Sequence, residues 1–274
     1  MALPFVHLFR KVTHFAVGLL AIAMSVLSSD SAALAVDFRI STKIYVGEEV
    51  KEGKKEAVPV SETTTLFLDG VVYDFLSDGS QTAVFRKLAG KDGRFILLHT
   101  DRQIRTELST TQVAGAMEKL KTWAAKQRDP MLKFAANPDF KESFEPEGSR
   151  LILASHLETY TVTTEPVENA EAIAQYREFL TWYTQLNTLL HAGPPPEPRL
   201  RLNEALARRR LQPIKVELTR DGEKEPLRAV HEFTMRLSRD DMAKIEEVRT
   251  SLASFREVTN EEFLKRTQGE TLAK

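Results

Sequence analysis

Thr64-Thr65-Leu66-Phe67-Leu68-Asp69-Gly70-Val71-Val72-Tyr73-Asp74-Phe75-Leu76 is the stretch whose reading decides the fold. Two runs rich in strand-forming residues flank Asp69-Gly70, a pair that tolerates positive φ at both positions of a two-residue hairpin turn. Downstream, Ser77-Asp78-Gly79-Ser80 turns into Thr82 to Lys87, Gly90-Lys91-Asp92-Gly93 into Arg94 to His99, and Thr100-Asp101 into Arg102 to Leu108. Five strands at such turn spacings predict sequential antiparallel pairing.

Several of these strands are apolar on both faces. Val71, Tyr73 and Phe75 alternate with Val72, Asp74 and Leu76, while Phe95 and Leu97 alternate with Ile96 and Leu98. A strand of this kind must be covered on both sides. Helices on both faces satisfy the requirement. So does an enclosed ligand, in a cavity lined by Tyr73, Phe75, Phe85, Phe95 and Leu97.

Upstream, Phe38, Ile40, Ile44 and Val46 fall on one face of a further strand, and Gly47 to Ser61 reads as a solvated loop or hairpin tip. Before that lies a targeting pattern. Arg10 and Lys11 precede an apolar run from Thr13 to Leu27, and Ala33-Leu34-Ala35 offers small residues where a signal peptidase reads. We expect residues 1–35 to be a signal peptide cleaved between Ala35 and Val36, because about 15 apolar residues are too few to span a bilayer comfortably. Residues 36–274 are then a single mature α+β domain, exported to the periplasm or beyond the cell, with no transmembrane span after cleavage. The chain has no cysteine, so disulfides are excluded and the core alone must hold the fold.

After the strands, Ser109 and Gln112 have capping-box spacing ahead of Val113, Ala116, Met117, Leu120, Trp123 and Ala124, and Asp129-Pro130 ends or kinks that helix. Three short strands are expected between Phe140 and Thr164. The clearest helix starts near Asn169, its stripe running through Ala172, Tyr176, Phe179, Tyr183, Leu186 and Leu190. Gly193 to Pro198 reads as a terminator and stiff linker, and Asn203 to Arg210 as a short basic helix. Two strands follow, Ile214 to Leu218 and Phe233 to Leu237. Ser238 and Asp241 then cap a helix carrying Met242, Ile245, Val248, Leu252 and Phe255, and Thr259 and Glu262 cap a last turn.

The chemistry-bearing residues form no known motif. His99, His156, His191 and His231 lack metal-ligand spacing, so no metal site is expected. The nucleophile elbow, the phosphate-binding glycine loop and the dinucleotide fingerprint are all missing, so no catalytic residue or cofactor is assigned. Asp240-Asp241 sits where acidic groups favour a helix start rather than a catalytic dyad. The arginines at 199, 201, 208, 209 and 210 could fork an anionic group, although the simpler reading is a solvated helix face. With a net charge of −1 there is no global field for nucleic acid or an anionic membrane.

Arg94-Phe95-Ile96-Leu97-Leu98-His99-Thr100-Asp101-Arg102-Gln103-Ile104-Arg105-Thr106-Glu107 is similar to the central hairpin of the half-barrel envelope proteins, of which the periplasmic lipoprotein carriers are the best-known members. Gln175-Tyr176-Arg177-Glu178-Phe179 and Asn203-Glu204-Ala205-Leu206-Ala207 resemble stretches of other exported bacterial proteins, a likeness that carries no activity. The carrier resemblance implies a curved antiparallel sheet, half-barrel-like and partly wrapped by helices. It also implies an apolar or lipid-like ligand held between sheet and helices. An envelope partner protein docking on the 169–190 helix is the alternative, and a hydrolase of unknown type the third.

Overall fold

Asp69 and Gly70 adopt φ values of 52° and 73°, so both central residues of the hairpin turn are left-handed, which matches the twist of the flanking strands. In the computed structural model, which describes residues 36–47, 58–76, 79–88 and 92–271, this turn joins β2 (Ser61–Leu68) to β3 (Val71–Leu76). The meander continues through β4 (Gln81–Lys87), β5 (Gly93–His99) and β6 (Ile104–Ser109), each antiparallel to its predecessor. The signal peptide expected at 1–35, most of the loop at 47–61 and the turn residues 77–78 and 89–91 lie outside the described residues.

Ser109 caps α1 (Thr110–Ala124) as its spacing predicts: its hydroxyl accepts the Gln112 amide at 3.1 Å, and the Gln112 side chain accepts the Ser109 amide at 2.8 Å. Asp129-Pro130 does more than stop this helix. Asp129 caps a second one, α2 (Pro130–Ala136), accepting the amides of Met131 and Leu132, and a proline at the first helical position has no amide to leave unpaired. Then come β7 (Lys141–Glu145), β8 (Arg150–Ala154), β9 (Glu158–Pro166) and α3 (Ala170–Leu190), the last capped by Asn169.

Two boundaries differ from expectation. Helix α4 (Glu197–Arg209) starts inside the proline run, because Pro198 in its first turn needs no hydrogen-bonded amide. After β10 (Leu211–Arg220), β11 spans Leu227–Thr234, so the expected strand at 233–237 lies mostly beyond it. The chain leaves the sheet at Met235 and reaches Ser238 in time for that residue to cap α5 (Arg239–Ser254) with Asp241. A two-residue strand, β12 (Arg256–Glu257), and α6 (Asn260–Thr271) complete the chain.

Among the described residues twelve strands, counting the first, β1 (Phe38–Val46), join one open sheet in the order β12-β6-β5-β4-β3-β2-β1-β11-β10-β9-β8-β7. Strand β1 pairs with β2 on one side and β11 on the other, knitting the two antiparallel blocks together. Only β12 runs parallel to its neighbour among the described strands. The architecture is therefore α+β, with six helices and an open twelve-stranded sheet among the described residues.

Helices cover both faces of the β2–β5 block. On one face Phe38, Phe67, Phe85, Phe95 and Leu97 pack under α1 and α3. There Phe38 stacks on Phe67 at 4.0 Å, and Phe179 of α3 meets Phe67 edge-on at 6.0 Å. On the other face Leu66, Tyr73, Val84, Ile96 and Leu98 pack under Ile245 and Val248 of α5. A third cluster joins β8, β9 and β10 to Leu202, Ala205 and Leu206 of α4. Arg177 of α3 donates to the carbonyls of Leu206, in the last turn of α4, and of Leu211, at the start of the next strand, at 3.2 and 3.1 Å.

Candidate functional site: a cleft beneath helix α5

The five residues expected to line one cavity are divided between two faces of the sheet. Phe85, Phe95 and Leu97 belong to the core under α1 and α3, whereas Tyr73 and Phe75 face α5. Register is the reason. Tyr73 pairs with Val84 and Val72 with Phe85, so the two aromatic residues fall on opposite sides of the pleat. Tyr73 is buried there, and its hydroxyl meets the Arg249 guanidinium. Phe85 and Phe95 spend their surface on each other, with ring centroids 4.8 Å apart.

Phe75 alone of the five reaches an open space. A cleft of about 300 Å³ lies between α5 and the ends of β2, β3, β4 and β5. Phe75, Leu76, Leu98, Val248 and Phe255 make its apolar wall; Thr64, Thr82, Thr100 and Ser251 bring hydroxyls, and Lys244 and Glu247 stand exposed at its margin. The amphipathic pattern of α5 explains why the helix lies here. Ile245 and Val248 point into the sheet, so Lys244, Glu247 and Ser251, on the adjoining flank, look along the opening. Met242, expected on the buried stripe, is instead 43 % exposed.

This constellation can desolvate an apolar group and offer hydrogen bonds, one ammonium and one carboxylate to a polar one. The sequence gives a signal for α5 but none for the side of the sheet on which it docks, so Lys244, Glu247, Ser251 and Phe255 could not be singled out as lining residues. Among the described residues, no three His, Asp or Glu side chains gather as metal ligands, and no helix is long and apolar enough to cross a membrane.

The arginine-rich segment is largely neutralised on the surface, as the simpler reading has it. Glu142 accepts from Arg208 at 2.6 Å and from Arg209 at 2.7 Å, and Arg209 also lies over the Phe144 ring. Arg201 pairs with Glu204 at 3.2 Å. The Asp240-Asp241 pair is structural too: Asp241 completes the capping box with Ser238 and meets Arg39 at 3.4 Å. The long apolar stripe of α3 is used internally, with Ala172, Tyr176, Phe179 and Leu186 all buried against this chain's own sheet.

The chain matches no protein-family model, and no curated protein is similar enough to match it.

Proposed function

We propose that this is an exported cell-envelope protein that binds a small amphipathic molecule in the cleft beneath α5. The observation that carries the reading is the cleft itself: about 300 Å³, apolar on one side and edged by hydroxyls and two opposite charges. That volume sits at the lower end of small-molecule sites, and the mixture of apolar wall and few polar groups is what such sites use. The open antiparallel sheet with helices against it is compatible with the half-barrel likeness of Arg94 to Glu107, and export rests on the pattern at 1–35. The ligand reading moves from the face under α1 and α3, where the rings fill the space, to the face under α5.

The test is native mass spectrometry of the protein recovered from the periplasm of an expression host, followed by denaturation and solvent extraction. Wild type should carry a small amphipathic molecule that is released on denaturation. Ser251→Phe, which fills the cleft, should lack it while keeping the wild-type melting temperature within a degree or two. Recovery of wild type with nothing bound, or of the same molecule on Ser251→Phe, would reject the cleft as the binding place.

A further inference from the structure

One cross-strand row of four side chains lies in the wall of the α5 cleft. Thr64 of β2 pairs with Phe75 of β3, Phe75 with Thr82 of β4, and Thr82 with Leu98 of β5. All four line the opening, with Val248, Ser251 and Phe255 of the α5 side across from them. Directly paired residues project to the same side of a sheet, so the row alternates hydroxyl and apolar groups. Among the described residues, the Thr64 and Thr82 hydroxyls make no hydrogen bond to another protein group.

Helix α5 adds the charges. Elsewhere along it Asp241 meets Arg39 at 3.4 Å, and Arg249 meets Glu246 at 3.5 Å. Lys244 and Glu247 stand at the margin of the cleft and, among the described residues, form an ion pair neither with each other nor with any other group. Three positions apart on one helix, they sit about 5–6 Å from each other at Cβ. Ser251 follows one turn after Glu247 and donates its hydroxyl proton to the Glu247 carbonyl at 2.9 Å. Its oxygen is thereby left as an acceptor toward the cleft. The opening thus presents a positive group, a negative group with an acceptor oxygen one turn away, and two threonine hydroxyls able to donate.

Size and charge together narrow the occupant. A cleft of about 300 Å³ equals the liquid volume of roughly ten waters, which suits a molecule of about ten non-hydrogen atoms and not a long acyl chain. A simple carboxylate would set its charge against Glu247, and a simple amine would set its charge against Lys244; like charges brought together oppose binding. A molecule carrying both charges satisfies both residues. We propose that the ligand of this cleft is a small zwitterion on an apolar body, of the class of the apolar α-amino acids. Its carboxylate meets Lys244 and the threonine hydroxyls, its ammonium meets Glu247 and Ser251, and its side chain lies against Phe75, Leu98 and Val248. This proposal rests on the reading of the cleft as a binding place and states which molecules it takes.

The test is isothermal titration calorimetry of the periplasmically recovered protein with L-phenylalanine, 3-phenylpropanoate and 2-phenylethylamine, which share a ring and differ in charge. Phenylalanine should bind saturably, and each singly charged analogue about fivefold more weakly, the upper worth of one exposed ion pair. Lys244→Gln should erase the preference over 2-phenylethylamine, and Glu247→Gln the preference over 3-phenylpropanoate; both side chains are exposed, so the fold is not at stake. Equal affinity for the three compounds, no binding of phenylalanine, or a preference that survives in both variants would overturn the zwitterion proposal. Equal affinities that Ser251→Phe abolishes would do so while leaving the cleft as the binding place. Binding that persists undiminished in Ser251→Phe would overturn the cleft reading and this proposal together.

Discussion

The Thr65 hydroxyl donates to Oδ1 of Asp74 at 2.6 Å, on paired positions of β2 and β3 in the core beneath α3. Burial pushes the Asp74 carboxyl above the usual carboxylate range, although the Thr65 and Tyr183 hydroxyls that bond it pull the other way. A carboxyl whose folded pKa is raised stabilises the fold most below its unfolded value and loses that contribution as pH rises through the folded value. Asp74→Asn should therefore gain stability relative to wild type as pH is raised from about 4 towards 7. Urea unfolding of both proteins across that range reads the difference directly; a difference independent of pH would contradict the burial argument.

His231 titrates with the opposite sign. Burial, with the Arg199 charge adding to it, pushes its imidazole down from 6.5 to about 3. Below pH 6.5 the unfolded chain takes up a proton that the folded chain refuses, so stability is lost as pH falls from 6.5 towards 3. The limiting slope is about 1.4 kcal/mol per pH unit. His231→Asn, which keeps an oxygen near the Thr42 hydroxyl, should flatten this segment of the stability curve between pH 6.5 and 4.5. The check is the same denaturant series, taken as wild type minus variant.

Gly93 opens β5 where there is no room for a side chain. A Cβ there would lie 2.7 Å from the Phe85 ring and 3.0 Å from Thr110 Cγ2, while the Gly93 amide donates to Thr110 Oγ1 at 2.8 Å. Phe85 is buried and packed on Phe95 and Phe179, so its ring cannot swing away freely. Gly93→Ala should cost about 1–3 kcal/mol, the usual range for overpacking. Thermal unfolding with the far-ultraviolet spectrum unchanged would confirm a local clash.

Glu142 receives both Arg208 and Arg209 on the surface, and hydrogen bonding from Arg209 leads the effects that hold its carboxyl below the ordinary value. Exposed ion pairs contribute little, so Glu142→Gln should change stability by less than about 1 kcal/mol. Phe179→Ala, beneath the same sheet, should cost about 3–5 kcal/mol, because its ring meets Phe67, Phe85 and Tyr183. Measuring both by chemical denaturation separates surface electrostatics from core packing.

Local chemistry carried most of the element boundaries. Asp69-Gly70 specified its turn through the positive φ both residues accept, and Ser109 with Gln112 and Ser238 with Asp241 specified helix starts through hydrogen bonds between residues three apart. The alternation of β1, the meander that follows and the long stripe of α3 were legible for the same reason, since period alone separates strand from helix. Where reading failed, two local signals competed: the prolines at 194–198 read as a linker, yet Pro198 fits a first helical turn.

Only tertiary structure decided what met across the chain. The pairing of β1 with β11 joins residues nearly two hundred positions apart, and nothing local specifies it. Strands apolar on both faces announced that two layers would cover them, but not which helix would lie on which face. That choice separated Tyr73 and Phe75 from Phe85, Phe95 and Leu97, placed the cleft beside α5, and brought Arg208 and Arg209 of α4 to Glu142 of β7. A sequence records period and propensity residue by residue, whereas a site is made of groups brought together by register and docking, and those are set by the packing of the whole sheet.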